Sequence, residues 1–199
     1  MTFSDIEVAL RAFNSQLNAI DKKIGLVVCG GAALNALGLV ERTTSDIDVV
    51  GFADEVEERI VVRRAEFPSW LREAAGKVAR DLGLPKDWLN DGPASLIELG
   101  LPEGFADRLN RIEVGTSLAV YYISRLDQIH FKLYASADRG GYHIDDLMKL
   151  QPTEKEILVA AKWTMTHDVS PTFRDIMIDL VRRLGFYDAS KRLQESGNR

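Results

Sequence analysis

Between Phe3 and Ile20 the apolar residues Ile6, Leu10, Phe13, Leu17 and Ile20 fall on one stripe, which predicts an amphipathic helix with Ser4 available as its cap. The run "IGLVVCG" reads as a short buried strand that stops at the paired glycines Gly30-Gly31. The compact stretch "GAALNALGL" follows with helix formers, and "DIDVVG" reads as a second strand. Helix, strand, helix, strand in close succession make at least this part of the fold α/β.

The middle of the chain is less periodic. "DEVEERIVVRRAEFPSWLREAAGKVARDLGL" reads as mostly helical, with Pro68 at a break or in the first turn of a new helix. "PKDWLNDGPASLIELGLPEGF" is dense in Pro, Gly, Asp and Asn and reads as loops with brief ordered pieces. "NRIEVG" and "SLAVYYIS" are two strands joined at Gly115-Thr116, a predicted hairpin. Helical pattern then returns over Ser124 to Ser136, His143 to Leu150, Thr153 to His167 and Pro171 to Gly185. Thr153 with Glu156 matches a capping box, and Ser170-Pro171 matches a cap followed by proline in the first turn. The closing "QESGNR" is expected to fray. The expected layout is an α/β domain over 1–123 and a helical region over 124–199.

Composition narrows the classes. A length of 199 residues, 46% of them hydrophobic, suits one domain with a real core or a domain plus a helical appendage. A formal net charge of −5 argues against coating nucleic acid by bulk positive charge, though not against a local basic groove. Cys29 is the only cysteine, so no internal disulfide forms and a reducing, cytoplasmic setting is expected. No secretory signal pattern opens the chain and no apolar run approaches the ~20 residues of a membrane span, so no membrane partner is expected.

Candidate chemistry concentrates in "CGGAALNALGLVERTTSDIDVV". Strand alternation points Asp46 and Asp48 one way and Ile47 and Val49 into the core. Two such carboxylates can converge on a hard cation, and without one they repel each other. Mg²⁺ suits the pair, because it accepts one or two carboxylates and completes its shell with waters and phosphates. The plainer alternative is an edge strand with one wet face. Gly30-Gly31 at the end of a strand lets a phosphate approach the backbone, or simply makes a tight turn. A dinucleotide-binding turn is a weaker rival, since the third glycine of G-x-G-x-x-G is missing and a ribose-binding acid needs no twin.

Gly-Gly-Ala-Ala-Leu followed by Arg42-x-Thr44-x-Asp46-Ile47-Asp48 resembles the nucleotidyltransferase superfamily typified by DNA polymerase beta. The long gap between glycines and acids, filled by an Ala/Leu helix and an Arg-x-Thr, looks most like the abortive-infection type IV toxin branch. That branch places a lysine on a later helix, followed by arginine and Asp-Leu. "FKLYASADRGGYHIDDLMKL" matches with Lys132, Arg139 and Asp145-Asp146 before Leu147. "GYHIDDLMKLQPTEKEILVAAKW" is similar to a little-characterised group related to that branch. The resemblance covers Ile24 to Val50 and Leu126 to Trp163.

The resemblance implies a mixed sheet flanked by helices (α/β, or α+β), followed by a C-terminal helical bundle. It implies Mg²⁺ or Mn²⁺ on Asp46 and Asp48, and nucleotide at Gly30, Gly31, Arg42, Thr44 and Ser45. It further implies transfer of a nucleoside monophosphate from an NTP to an RNA (a tRNA end included), protein or small-molecule acceptor. A role as toxin beside a cognate antitoxin, or in phage defence, goes with it. Lys132 would neutralise the triphosphate, with Asp146 or Asp145 orienting it or accepting a proton; Arg139 is a further candidate. The superfamily often supplies a third carboxylate from a later strand, and Glu113 is the nearest candidate. The alternative is a nucleotide- or partner-binding module that keeps the fold without the chemistry.

Plainer roles stand beside these. Arg125, Gln128, Lys132, Ser136 and Arg139 share helical spacing and can form a solvated face. Asp145 and Asp146 in a first helical turn complement the macrodipole. Trp70, Trp88 and Trp163 read as packing residues, and the three histidines with Cys29 lack zinc-ligand spacing. Lys162, Arg174, Arg182 and Arg183 offer an acceptor surface or ordinary solvated helix faces.

Overall fold

A computed structural model describes residues 1–40 and 43–196, apart from the side chain of Phe3. The chain forms two compact units, Met1–Ser124 and Arg125–Arg199.

The first unit opens with α1 (Phe3–Ala19), whose cap is Thr2 rather than Ser4. Thr2 accepts from the Asp5 amide while the Asp5 carboxylate accepts from the Thr2 amide, a reciprocal capping box. The predicted stripe is buried at Ile6, Leu10, Phe13 and Leu17. Strand β1 (Ile24–Cys29) runs directly into the short helix α2 (Gly30–Ala36). Strand β2 (Ile47–Val56) then pairs antiparallel with β1 on one edge and with β3 (Arg59–Arg64) on the other.

The β2–β3 hairpin corrects the helical expectation for this stretch. Its turn residues Glu57 and Glu58 both adopt positive φ, 47° and 64°. That is the backbone of a two-residue hairpin turn, but built without the glycine or asparagine that announces one. The helical reading holds only after Pro68, where α3 (Ser69–Leu82) buries Leu71, Ala74, Ala75, Val78 and Ala79.

The loop-rich stretch contains a two-residue strand, β4 (Leu89–Asn90), and 3-10 turns at Gly92–Ile97 and Ala106–Arg108. The predicted hairpin forms from β5 (Asn110–Glu113) and β6 (Leu118–Tyr122). The sheet order is β3-β2-β1-β6-β5, and β4 pairs in parallel with the start of β2. Parallel β1–β6 and antiparallel β1–β2 make the sheet mixed. The core of this unit joins Phe13 of α1 and Val78 of α3 to Leu26, Val28, Ile47 and Val49 of the sheet. Trp88 is fully buried within it, edge-on to Phe13 and donating from its indole N–H to the Ala75 carbonyl at 3.0 Å.

The second unit consists of α4 (Arg125–Asp138), α5 (Tyr142–Lys149), α6 (Glu154–His167), α7 (Pro171–Arg183) and α8 (Tyr187–Glu195). Helix α8 lies beyond the four helices expected from the sequence and buries Ala189, Ser190 and Leu193. The Thr153–Glu156 capping box and the Ser170 cap are both present. Arg125 ties α4 to the following helices, bonding the Leu150 and Gln151 carbonyls and the Glu156 carboxylate. Trp163 stacks on Phe131 with ring centroids 5.7 Å apart, a packing role as expected. Among the described residues no helix is long and apolar enough to cross a membrane.

Candidate functional site

The two acids lie at the entry to β2: Asp46 immediately precedes the strand and Asp48 is its second residue. Ile47 and Val49 are 1% and 0% exposed, so alternation leaves Asp46 and Asp48 together on the opposite face, each half-buried. Backbone pairing supplies their neighbours. Cys29, at the end of β1, is the register partner of Asp48 across one edge, and Asn90 of β4 is its partner across the other. Gly30 therefore follows directly on the residue beside Asp48.

Asn90 was not singled out by its residue type or its position in a loop-like stretch, yet it joins the pair. Its side-chain nitrogen donates to Asp46 Oδ2 at 3.2 Å and to Asp48 Oδ1 at 3.2 Å. Its carbonyl oxygen accepts from the Gly92 amide at 3.0 Å, which fixes which end of the amide faces the acids. Two carboxylates thus converge on one atom-sized position. Thr44 and Ser45 complete the group: their hydroxyls lie 3.4 Å and 3.3 Å from Asp46 Oδ1. Thr44 is buried, and its hydroxyl also reaches the Asp46 carbonyl, so it shapes the turn into the strand.

The glycine turn sits against this cluster. Gly30 has φ +68°, and a Cβ there would lie 2.5 Å from Asp48 Oδ2. Glycine is required twice over, by backbone conformation and by the close carboxylate. Gly31 is buried in α2. Arg42 lies outside the described residues.

The donor set fits a hard divalent cation. Carboxylate and hydroxyl oxygens are the ligands Mg²⁺ and Mn²⁺ take, and two half-buried carboxylates leave positions for water and phosphate oxygens. Among the described residues no group of three or more His, Cys, Asp or Glu side chains assembles. Glu113 does not supply the third acid. It lies on β5, three strands from β2, or about 14 Å across the sheet. It is also ion-paired with Arg111 at 2.5 Å. The place beside Asp48 on the outer strand is held by the neutral Asn90.

The other candidates belong to the second unit. Lys132 of α4 and Asp146 of α5 form a buried ion pair, Nζ to Oδ2 2.8 Å, with side chains only 7% and 2% exposed. The Lys132 ammonium also lies over the Tyr142 ring, 5.7 Å from its centroid. The stripe Gln128, Lys132 and Ser136 is therefore an interior face, not a solvated one. Burial of three polar residues on one helix face has no signature in local periodicity, which reads only apolar spacing. Both amide atoms of the fully buried Gln128 lack a hydrogen-bond partner among the described residues. Asp145 is exposed in the first turn of α5, and Arg139 is exposed and bonded to Asp138 at 3.1 Å. Arg183 pairs with Asp179 along α7 at 3.0 Å.

Residues 8–161 match the family described as a nucleotidyltransferase of unknown function, DUF6036. The match covers well over half of the chain, and the chain belongs to that family. Neither the curated proteins nor the solved structures gave a match.

Proposed function

We propose that the chain transfers a nucleoside monophosphate from an NTP to an acceptor hydroxyl, using Asp46 and Asp48 to hold Mg²⁺ or Mn²⁺. The observation that carries this reading is the convergence of both carboxylates on one position beside the Gly30 turn. In such a reaction the acceptor oxygen attacks the α-phosphorus, the bond to the bridging oxygen of pyrophosphate breaks, and the acceptor proton passes to a base. The bound cation would neutralise charge spreading over the phosphate oxygens. The chain's own contribution is to hold two carboxylates converged and half-buried, and to keep Cβ atoms away from the approaching phosphates at Gly30-Gly31. Thr44 and Ser45 hydroxyls orient Asp46. Lys132 would meet triphosphate charge, with Asp146 orienting its ammonium. The acceptor is an RNA, a protein or a small molecule, and a toxin paired with an antitoxin is the biological setting the motif order favours.

The test is incubation with each NTP labelled at the α-phosphate, Mg²⁺ and cell extract. Label should pass to an acceptor with wild type and stop with D46A and with D48A. Transfer that persists in both variants sinks the assignment.

A second reading has its own support. With a neutral Asn90 where a third acid would stand, the fold can serve as a nucleotide-binding module without turnover. Calorimetry decides: tight NTP–Mg²⁺ binding with no transfer to any acceptor favours the module.

A further inference from the structure

The amide of Asn90 occupies the position on which the two acids converge. Its nitrogen is 3.2 Å from Asp46 Oδ2 and 3.2 Å from Asp48 Oδ1. A divalent cation bridging those same two oxygens would sit about 2.0–2.1 Å from each, in the space the N–H hydrogens now fill. Those oxygens can accept from the amide or bind the cation, not both. The orientation is not free to reverse at no loss, because Oδ1 is held by the Gly92 amide at 3.0 Å. Backbone pairing fixes the rest, since Asn90 is the register partner of Asp48.

We propose that Asn90 is a positioning residue that acts as an internal stand-in for the cation. It holds Asp46 and Asp48 converged while the site is metal-free and competes with a divalent ion for their facing oxygens. The wild-type protein accordingly binds free divalent cation weakly and takes it up together with the nucleotide, whose phosphates supply the remaining ligands. This rests on the reading of Asp46 and Asp48 as a cation site. Without the amide, two carboxylates would face one another with no donor between them, and the relief on binding a cation would be larger.

The experiment uses the full chain, Asn90→Ala and Asn90→Asp, with Mn²⁺ binding followed by electron paramagnetic resonance without nucleotide. Thermal unfolding is measured in chelator and in Mn²⁺. N90A should bind Mn²⁺ more tightly than wild type, on the order of tenfold, since two hydrogen bonds to charged groups no longer oppose the ion. N90D keeps the side chain's shape and adds a charge, so its gain should be larger, on the order of a hundredfold. In chelator N90D should unfold at lower temperature than wild type; Mn²⁺, or the added substitution Asp46→Asn, should restore it. A purely structural role for Asn90 would not reverse sign with cation in this way.

Unchanged or weaker Mn²⁺ binding by N90A would overturn the proposal, because a ligand or bystander does not compete. If N90A fails to fold, N90D decides: no deficit in chelator, or a deficit that Asp46→Asn leaves in place, overturns it. Absence of Mn²⁺ binding in every variant, with and without nucleotide, sinks the cation site itself and the stand-in role with it. Mn²⁺ binding that N90A leaves unchanged removes only the role of Asn90.

Discussion

Replacing Asp146 by alanine removes one half of a nearly sealed ion pair and leaves the Lys132 ammonium in place. The two groups are 2.8 Å apart, and their side chains are 7% and 2% exposed, so little water can take over the role of the lost carboxylate. Breaking a buried pair from one side costs about 3–5 kcal/mol, far more than the ~0–1 kcal/mol of an exposed pair. The Tyr142 face at 5.7 Å offsets little of this, since a cation–π contact contributes only about 0.5–2 kcal/mol and is already present in the wild type. Against a typical stability of about 5–15 kcal/mol, D146A remains folded but is clearly weakened.

The double variant K132M/D146L separates charge from packing. Methionine keeps most of the lysine stem, leucine fills the aspartate volume, and no charge is left to desolvate. Replacing a buried pair by apolar groups is often neutral or stabilising. The expected order in urea unfolding, followed by circular dichroism, is therefore wild type and the double variant close together, with D146A and K132M both well below. A loss under about 1 kcal/mol in D146A would show that the pair is wetter than its geometry implies. A double variant as weak as the two single losses combined would show that the charges are not coupled at all.

Two further expectations follow from particular contacts. Gly30→Ala places a Cβ 2.5 Å from Asp48 Oδ2 at φ +68°, so the carboxylate must move; transfer activity should fall about a hundredfold, with about 1–2 kcal/mol of backbone strain. Gly38→Ala is the control, since Gly38 has φ +64° but nothing within 4 Å of the added atom; similar strain with transfer retained is expected, and equal activity losses would refute the contact. For Glu156, burial raises the carboxyl's pKa, but hydrogen bonds from Arg125 and from the Thr153 amide and hydroxyl outweigh it and hold it below the ordinary 4.5. A depressed folded value means the stabilisation is present above 4.5 and is lost as pH falls through the folded value. E156Q should therefore be about 1 kcal/mol less stable at neutral pH, with the gap closing on acidification; urea titrations showing a gap that widens in acid would refute it.

Much of the fold can be read from local pattern because local physics decides it. The buried stripe of α1, the β5–β6 hairpin at Gly115-Thr116 and the capping box of α6 each follow from residues within a few positions of one another. The β2–β3 hairpin escapes because Glu57 and Glu58 take left-handed conformations that their residue type does not announce. Their neighbours Arg59, Arg63 and Arg64 also suit a helix as well as an exposed strand. Lys132 and Asp146 were identifiable as candidates, but spacing along one helix could not distinguish a wet face from an interior one. Asn90 was invisible for a different reason. Its meaning comes from a two-residue parallel pairing with β2, a long-range contact that leaves only an asparagine in a turn-rich stretch.

The same pairing explains why carboxylates belong in a strand that otherwise reads as core. A row across the sheet brings Cys29, Asp48 and Asn90 side by side from three separate stretches of chain, at spacings the backbone sets near 4.8 Å. Alternation then sends Asp46 to the same face as Asp48, and the chain turns at Gly30 just past the row's first member. Every part of the cluster except the loop hydroxyls is thus placed by sheet geometry rather than by a flexible segment. Rigid placement of two like charges is unfavourable unless something sits between them, and in the metal-free chain that something is the Asn90 amide. A third acid at this position would strengthen cation binding but leave the empty site repelling itself. An amide holds the two carboxylates ready and yields when a stronger partner arrives. The charge at position 90 is therefore the single variable that sets whether this row waits for a cation or retains one.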